Sequence, residues 1–292
     1  MAQKMAVQRA RAHIRNSRKS REDVIFEYIV YIILALISLI IIYPLWFVLI
    51  ASFSEAKLVV AGKVLWRPVG LTLDNYAECF KNGDLMIGYK NSLGILFLGT
   101  ATNLVLTTLC AYPLSRRDLW GKNAIMMYAT FPMFFSGGMI PTYLLVARTL
   151  GLSNSWWAVI LVGGIATYNM IIMRTYFSTQ IPRELREAAQ LDGASPWQSF
   201  VHITLPHIRV VVGLLVVLRT IWVFNNFDTI YLITGGGPAN LTQTVPIYAY
   251  NVGWGLKQLG RSSAVTVLLL IFLLIVCMFY FKILDKWEKE GA

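Results

Sequence analysis

The sequence predicts an all-α integral membrane protein with six transmembrane helices, and three observations carry that prediction. Of its 292 residues, 57% are hydrophobic and only 14% are charged, with a mean hydropathy of +0.58. A helix that crosses a bilayer takes about 20 apolar residues, and the chain offers six stretches of that order. The charged residues gather in the connections between those stretches, where a membrane protein meets water.

The net charge of +11 raises the question of nucleic acid, and its distribution answers it. The arm, residues 1–27, carries Lys4, Arg9, Arg11, Arg15, Arg18, Lys19 and Arg21. It lacks the interleaved aromatics and folded reader module of a nucleic-acid-binding element. The uncharged run that follows, Tyr28–Ala51, is too long for the apolar core of a cleaved signal peptide. It is read as an uncleaved first span, with residues 28–284 forming one six-helix domain and 285–292 a short tail.

The later spans follow in order. Span two runs from Asn91 to Pro113 and includes Asn103, Thr107 and Thr108. Span three, Asn123–Ala147, contains Pro132, Gly137, Gly138 and Pro141, helix breakers that a membrane tolerates where neighbouring helices or a cavity satisfy the freed backbone. Span four, Trp156–Met173, carries Gly163-Gly164 and Tyr168-Asn169. Span five is Val210–Phe227 and span six Ser262–Phe281. Between them lies a segment marked by Gly235-Gly236-Gly237-Pro238.

With the N-terminus inside, the cytoplasmic segments hold 17 Lys and Arg against 7 outside. The positive-inside rule therefore predicts that both termini and the stretch 181–206 face the cytoplasm. No stretch satisfies G-x-x-x-x-G-K-[ST], since Gly62-Lys63 and Gly121-Lys122 are followed by Val64 and Asn123. Any ATP and magnesium chemistry must therefore sit on another chain, this one being no enzyme and binding no cofactor itself. His202 and His207 stand five apart on different helix faces, which is not metal-ligand spacing. Cys79, Cys110 and Cys277 show no pairing pattern and are read as packing residues.

Polar groups inside spans are the informative ones, because a charge at the centre of a span costs about 2.5 to 3.5 kcal/mol on insertion scales. Arg219 should therefore face the protein interior and have a partner. Asn225, Asn226 and Asp228 lie further along the same predicted helix, and Asn225 and Asp228 share a face with Trp222. An aromatic beside hydrogen-bonding groups suits a sugar ring, so Trp222, Asn225, Asn226, Asp228 and Arg219 are candidates to line a substrate pathway. Tyr168 and Asn169 stand behind them. The competing reading is that these groups bond neighbouring helices or a partner subunit.

The longest polar interruption is residues 181–206, IPRELREAAQLDGASPWQSFVHITLP. Ile181, Leu185, Ala188 and Ala189 form one helical stripe, and Pro182 suits a first turn. Asp192-Gly193 ends that helix. Ser195 as N-cap, Pro196 at the first position and Gln198 three residues after the cap open a second one, with Trp197, Phe200, Val201 and Leu205 as its apolar stripe.

Glu187-Ala188-Ala189, then Asp192-Gly193-Ala194, then Ile203-x-Leu205-Pro206 resemble the EAA signature of the membrane subunits of binding-protein-dependent ABC importers. Ile181–Leu185, Trp197-Gln198-x-Phe200, Asp74-Asn75-Tyr76 and the Gly-Gly-Gly-Pro string are similar to the carbohydrate, maltose-permease-like branch. Val210 departs from it, standing where many relatives carry a second proline, and is read as leaving the helix straighter. The resemblance implies a type I importer permease whose cytoplasmic helix-turn-helix docks on an ATPase subunit, with Glu187 at that interface and Gly193 permitting the turn. It further implies a second permease subunit, two ATPase subunits, an extracytoplasmic sugar-binding protein and an oligosaccharide cargo. The positive charges make an acidic cargo such as an alginate worth testing. An ion-coupled secondary carrier would need carboxylates at mid-membrane, and the spans hold none but Asp228 at an edge. A membrane-embedded hydrolase would need a constellation that the spans lack.

Overall fold

The computed structural model describes residues 21–81, 83–116, 119–135, 137–153, 155–179, 188–189 and 191–291, with the side chains of Pro196 and of 288–291 excepted. Among them no strand forms beyond one isolated bridge, Ser54 with Leu71. Four helices are long and apolar enough to cross a membrane: α1 (Arg21–Ser52), α4 (Asp84–Ser115), the helix Trp197–Asn225, and α13 (Leu259–Gly291). Two bent pairs raise the number to six if each pair is one span. The first pair is α5 (Lys122–Phe134) with α6 (Met139–Tyr143), the latter continued by a π-helical turn at Leu144–Thr149. The second is α7 (Trp156–Val162) with α8 (Thr167–Thr179), bent by 52°. Short helices α2 (Ala56–Val60) and α3 (Asp74–Lys81) lie between α1 and α4.

Spans three and four, each carrying a glycine pair, are both bent. In span three the break falls at Gly137-Gly138, where Gly138 has φ +85°, a conformation that costs a glycine little. In span four it falls at Gly163-Gly164, freeing carbonyls of both residues from the helical ladder. Asn103 of α4 donates its Nδ2–H to each of them, at 3.2 and 3.1 Å. A bilayer leaves no water for such groups, so a side chain from the next helix takes that place.

Span five also has different bounds. The helix that contains it begins at Pro196 as α9 (Pro196–Ser199), passes through a π turn at Phe200–Thr204 and continues as α10 (Leu205–Asn225). Pro206 lacks the N–H that an unbroken ladder would use, and the wide turn immediately before it absorbs that loss. The helix stops at Asn225; Asp228 opens a separate helix, α11 (Asp228–Ile233). The first span likewise reaches back to Arg21, so residues 21–27 are helical rather than part of a separate arm.

Four apolar cores form among the described residues, and two of them lie along α4. One gathers Leu85, Ile95 and Leu96 of α4 with Val223, Phe224, Ile230 and Ile247. The other gathers Ala111 and Leu114 of α4 with Met173, Phe177, Ile208, Val211 and Leu215. Between these two cores, α4 and α10 carry buried polar or small residues: Gly99, Thr100, Asn103 and Thr107 on one, Arg219 and Thr220 on the other. This polar waist is where the site described below lies.

The Gly/Pro-rich segment after α11 is irregular and pinned. Gly235, Gly236, Ala239 and Asn240 have positive φ. Asn91 donates to the carbonyls of Asn240 (2.7 Å) and Gln243 (3.0 Å), Trp156 Nε1 donates to Leu241 (2.7 Å), and Ser92 Oγ accepts from Val245 (3.2 Å). The chain then forms α12 (Val245–Tyr250), a π turn at Asn251–Gly255, and α13. Cys79 lies in α3 and is fully buried against this region. Burial pushes its thiol pKa up, with Arg261 opposing, as befits a packing residue rather than a reactive one. Asn91→Ala removes the donor of two carbonyls and should destabilise the fold by about 2 kcal/mol. A lowered thermal midpoint of the detergent-solubilised chain checks this, and an unchanged midpoint counts against the pinning.

Candidate functional site

A cavity of about 450 Å³ opens at the polar waist. Its walls come from α4 (Ile95, Gly99), from α7 and the break after it (Val159 to Ala166), from α10 and from Thr229. α10 contributes Arg219, Trp222 and Asn225, and Asn226 follows directly. Trp222 and Asn225 are three apart and so fall on one helix face with Arg219. No lining residue is acidic.

Arg219 is 8% exposed. Its guanidinium lies over Gly163: a Cβ built there would stand 2.5 Å from Nη2 and 3.1 Å from Nη1, and one on Gly99 would stand 3.9 Å from Nη2. The slot therefore exists only because residue 163 has no side chain. Gly163 caps the C-terminal end of α7, where the partial negative charge of the helix favours a cation. The expected partner is nonetheless missing, since Nε is buried with no hydrogen-bond acceptor among the described residues. Arg219 also lies six residues from the end of α10, about 9 Å at 1.5 Å per residue, rather than at mid-span.

The other pathway candidates divide. Asn225 lines the cavity while donating Nδ2–H to Ile221 of its own helix at 2.8 Å, so its carbonyl oxygen remains for other use. Asn226, the C-cap residue, lines it too. Asp228 does not line it: the helix ends before it, so the face it was expected to share with Asn225 and Trp222 does not exist. Tyr168 and Asn169 sit in α8 outside the lining, the first 56% exposed and the second buried. Gly163, Gly99 and Asn103 were not singled out as site residues. The glycine pair following an uncharged run, opposite a span with a lone arginine, was the signal for them.

At the far end of the helix Trp197–Asn225 lies the segment 181–206, of which 188–189 and 191–206 are described; Glu187 lies outside the described residues. Ala188 and Ala189 are helical. Asp192 N–H reaches the Ala188 carbonyl and Ala194 N–H the Ala189 carbonyl, both at 2.9 Å, and Gly193 has φ +81°. A bond spanning five residues over a left-handed glycine is a Schellman ending. The capping box forms in full: Gln198 N–H donates to Ser195 Oγ (3.2 Å) and Ser195 N–H to Gln198 Oε1 (2.8 Å). On the second stripe Trp197 is 72% exposed and Leu205 is exposed, while Phe200 and Val201 are partly buried; Leu191, before the turn, is 89% exposed. Pro206, exposed, follows the π turn.

The model of the binding-protein-dependent transport system inner membrane component family matches residues 10–289. The chain belongs to this family. Relatives of the permease include the polygalacturonan/rhamnogalacturonan transport system permease protein YtcP of Bacillus subtilis, 38% identical over 62% of this chain and 63% of its own length. Protein LplC of the same organism is 34% identical over 74% and 72%. The diacetylchitobiose uptake permease DasB of Streptomyces coelicolor is 42% identical over 39% of this chain and 34% of its own. The chain thus spans less than two thirds of the length of the first and third of these. A bacterial ABC transporter that imports the acidic polysaccharide alginate has a chain of the same fold, with TM-score 0.72 at 24% identity over 93% of this chain and 99% of that one. The same is true of an alginate transporter in complex with an alginate pentasaccharide-bound periplasmic protein, with TM-score 0.67 at 19% identity over 89% and 94%. The ion-coupled carrier considered above is set aside by the family.

Within the permease, Gly163→Ala places a methyl where the guanidinium sits and must displace Arg219. Transport by the assembled complex should fall at least about tenfold, the equivalent of about 1.4 kcal/mol, while the chain still inserts and assembles. Wild-type transport by this variant would mean that the slot does no work.

Proposed function

We propose that this permease is one of two membrane subunits of an ATP-driven importer of oligosaccharides. Two ATPase subunits hold ATP and magnesium, and an extracytoplasmic sugar-binding protein delivers the cargo. The observation that supports this most is the family match over residues 10–289, together with the saccharide cargoes in the names of YtcP and DasB and the periplasmic partner of the alginate transporter. In this reading both termini and the segment 181–206 face the cytoplasm. The Schellman turn at Gly193 and the exposed Leu191 and Trp197 present a preformed knob to an ATPase cleft. Ala188, Ala189, Asp192 and Ala194 shape that knob, and the family resemblance assigns Glu187 to the same interface. The pathway runs past Trp222, Asn225, Asn226 and Arg219, while Asp228, Tyr168 and Asn169 serve the bundle around it.

Two experiments test the reading. Purification of the tagged chain from its native membranes should bring down a second permease and an ATPase subunit, with ATPase activity raised by one oligosaccharide and its binding protein. A chain that purifies alone and moves substrate on an ion gradient overturns the proposal. The second compares Gly193→Ala with Gly193→Trp. Both pay for the left-handed backbone, about 1 to 2 kcal/mol, but nothing among the described residues lies within 4 Å of a Cβ at that position. If the space belongs to an ATPase, the tryptophan alone should abolish coupled ATPase activity; equal effects would refute docking there.

A further inference from the structure

We propose that Arg219 is the carboxylate-binding group of the substrate site, so that the cargo of this importer is an oligosaccharide of uronic acids. The inference rests on the oligosaccharide reading and adds the charge of the sugar and the residue that reads it. Arg219 as a residue is nine-tenths buried, its Nε is buried with no acceptor among the described residues, and no described residue lining the cavity is acidic. A cation that a membrane protein buries without a counter-charge is unfinished until something brings one. The slot over Gly163 holds the guanidinium plane at the cavity wall, and a planar fork of donors suits a carboxylate in bidentate fashion, which an ammonium does not.

The surroundings fit a sugar acid better than a bare anion. Trp222 offers an aromatic face, and Asn225, Asn226 and Thr229 add hydrogen-bonding groups on the same cavity. Its volume of about 450 Å³ lies within the range of about 300 to 1,000 Å³ common for small-molecule sites. The helix end at Gly163 tolerates the charge in the empty state without saturating its hydrogen bonds. An arriving carboxylate therefore displaces no internal partner. A carboxylate from the second permease would meet the same groups and is the rival that the test separates.

The test uses the complete importer in proteoliposomes with its binding protein, supplied with oligogalacturonate or with the same oligomer as its neutral methyl ester. The wild-type complex should take up the free acid faster than the ester. Arg219→Gln should lower uptake of the acid at least about tenfold and that of the ester less than about twofold, inverting the preference, with Arg219→Lys in between. An equal fall for both forms makes Arg219 a structural or subunit-pairing residue, and no fall for either removes it from the site. The wild-type comparison needs no variant to fold: preference for the ester, or indifference, overturns the proposal even if the importer carries saccharides. Failure of either saccharide form to raise ATPase activity or to enter, alongside uptake of a different cargo, overturns the oligosaccharide reading beneath it.

Discussion

The structure depends on how a buried guanidinium is accommodated at the waist of the bundle. Arg219 sits between two apolar cores, in a layer where α4 supplies Gly99, Thr100 and Asn103 and span four supplies its glycine break. Insertion of a charged side chain is costly, so each neighbour is constrained. Residue 163 must be a glycine to leave the slot, the slot ends a helix, and the ended helix needs Asn103 to satisfy its carbonyls. The guanidinium, the missing side chain at Gly163, the bend of 52° and Asn103 on the facing helix thus meet at one place.

The same physics governs the segment after α11. Irregular backbone inside or beside a bilayer survives only where protein groups replace water. Asn91, Ser92 and Trp156 do so for residues 240–245 from two different helices. A second tie holds the end of α1: Asn75 donates to the carbonyls of Ser52 and Ser54, and Gly260 leaves room for its amide. These side chains brace irregular backbone, as many polar groups in helix bundles do.

That distinction marks what the sequence makes legible. The helical class, the approximate spans, the turn at Gly193 and the capping box at Ser195 follow from composition and local chemistry, which act over a few residues. The bends at Gly137-Gly138 and Gly163-Gly164 are visible as glycine pairs, but whether a pair bends a span depends on a donor 60 residues away, as with Asn103 and Gly163. The face shared by Trp222 and Asn225 is read correctly from spacing. Asp228 is misplaced because nothing local to Asn226 and Phe227 announces that the helix stops there. Arg219 is recognisable as buried, whereas its seat on Gly163 is a tertiary fact.

Residues 197–206 of the polar segment and the cavity lie towards opposite ends of one helix, Trp197–Asn225. In the proposed importer this helix carries motion from an ATPase to the substrate site, which requires it to move as a rod despite the π turn before Pro206. At 1.5 Å per residue its ends stand about 42 Å apart. The direct measurement is the distance between spin labels at Trp197 and Asn225 in the assembled transporter, without nucleotide and with ATP trapped, beside a second pair across the cavity at Ala166 and Trp222. The account predicts an unchanged rod distance and a changed cavity distance. A rod that shortens or broadens while the cavity stays fixed would contradict it.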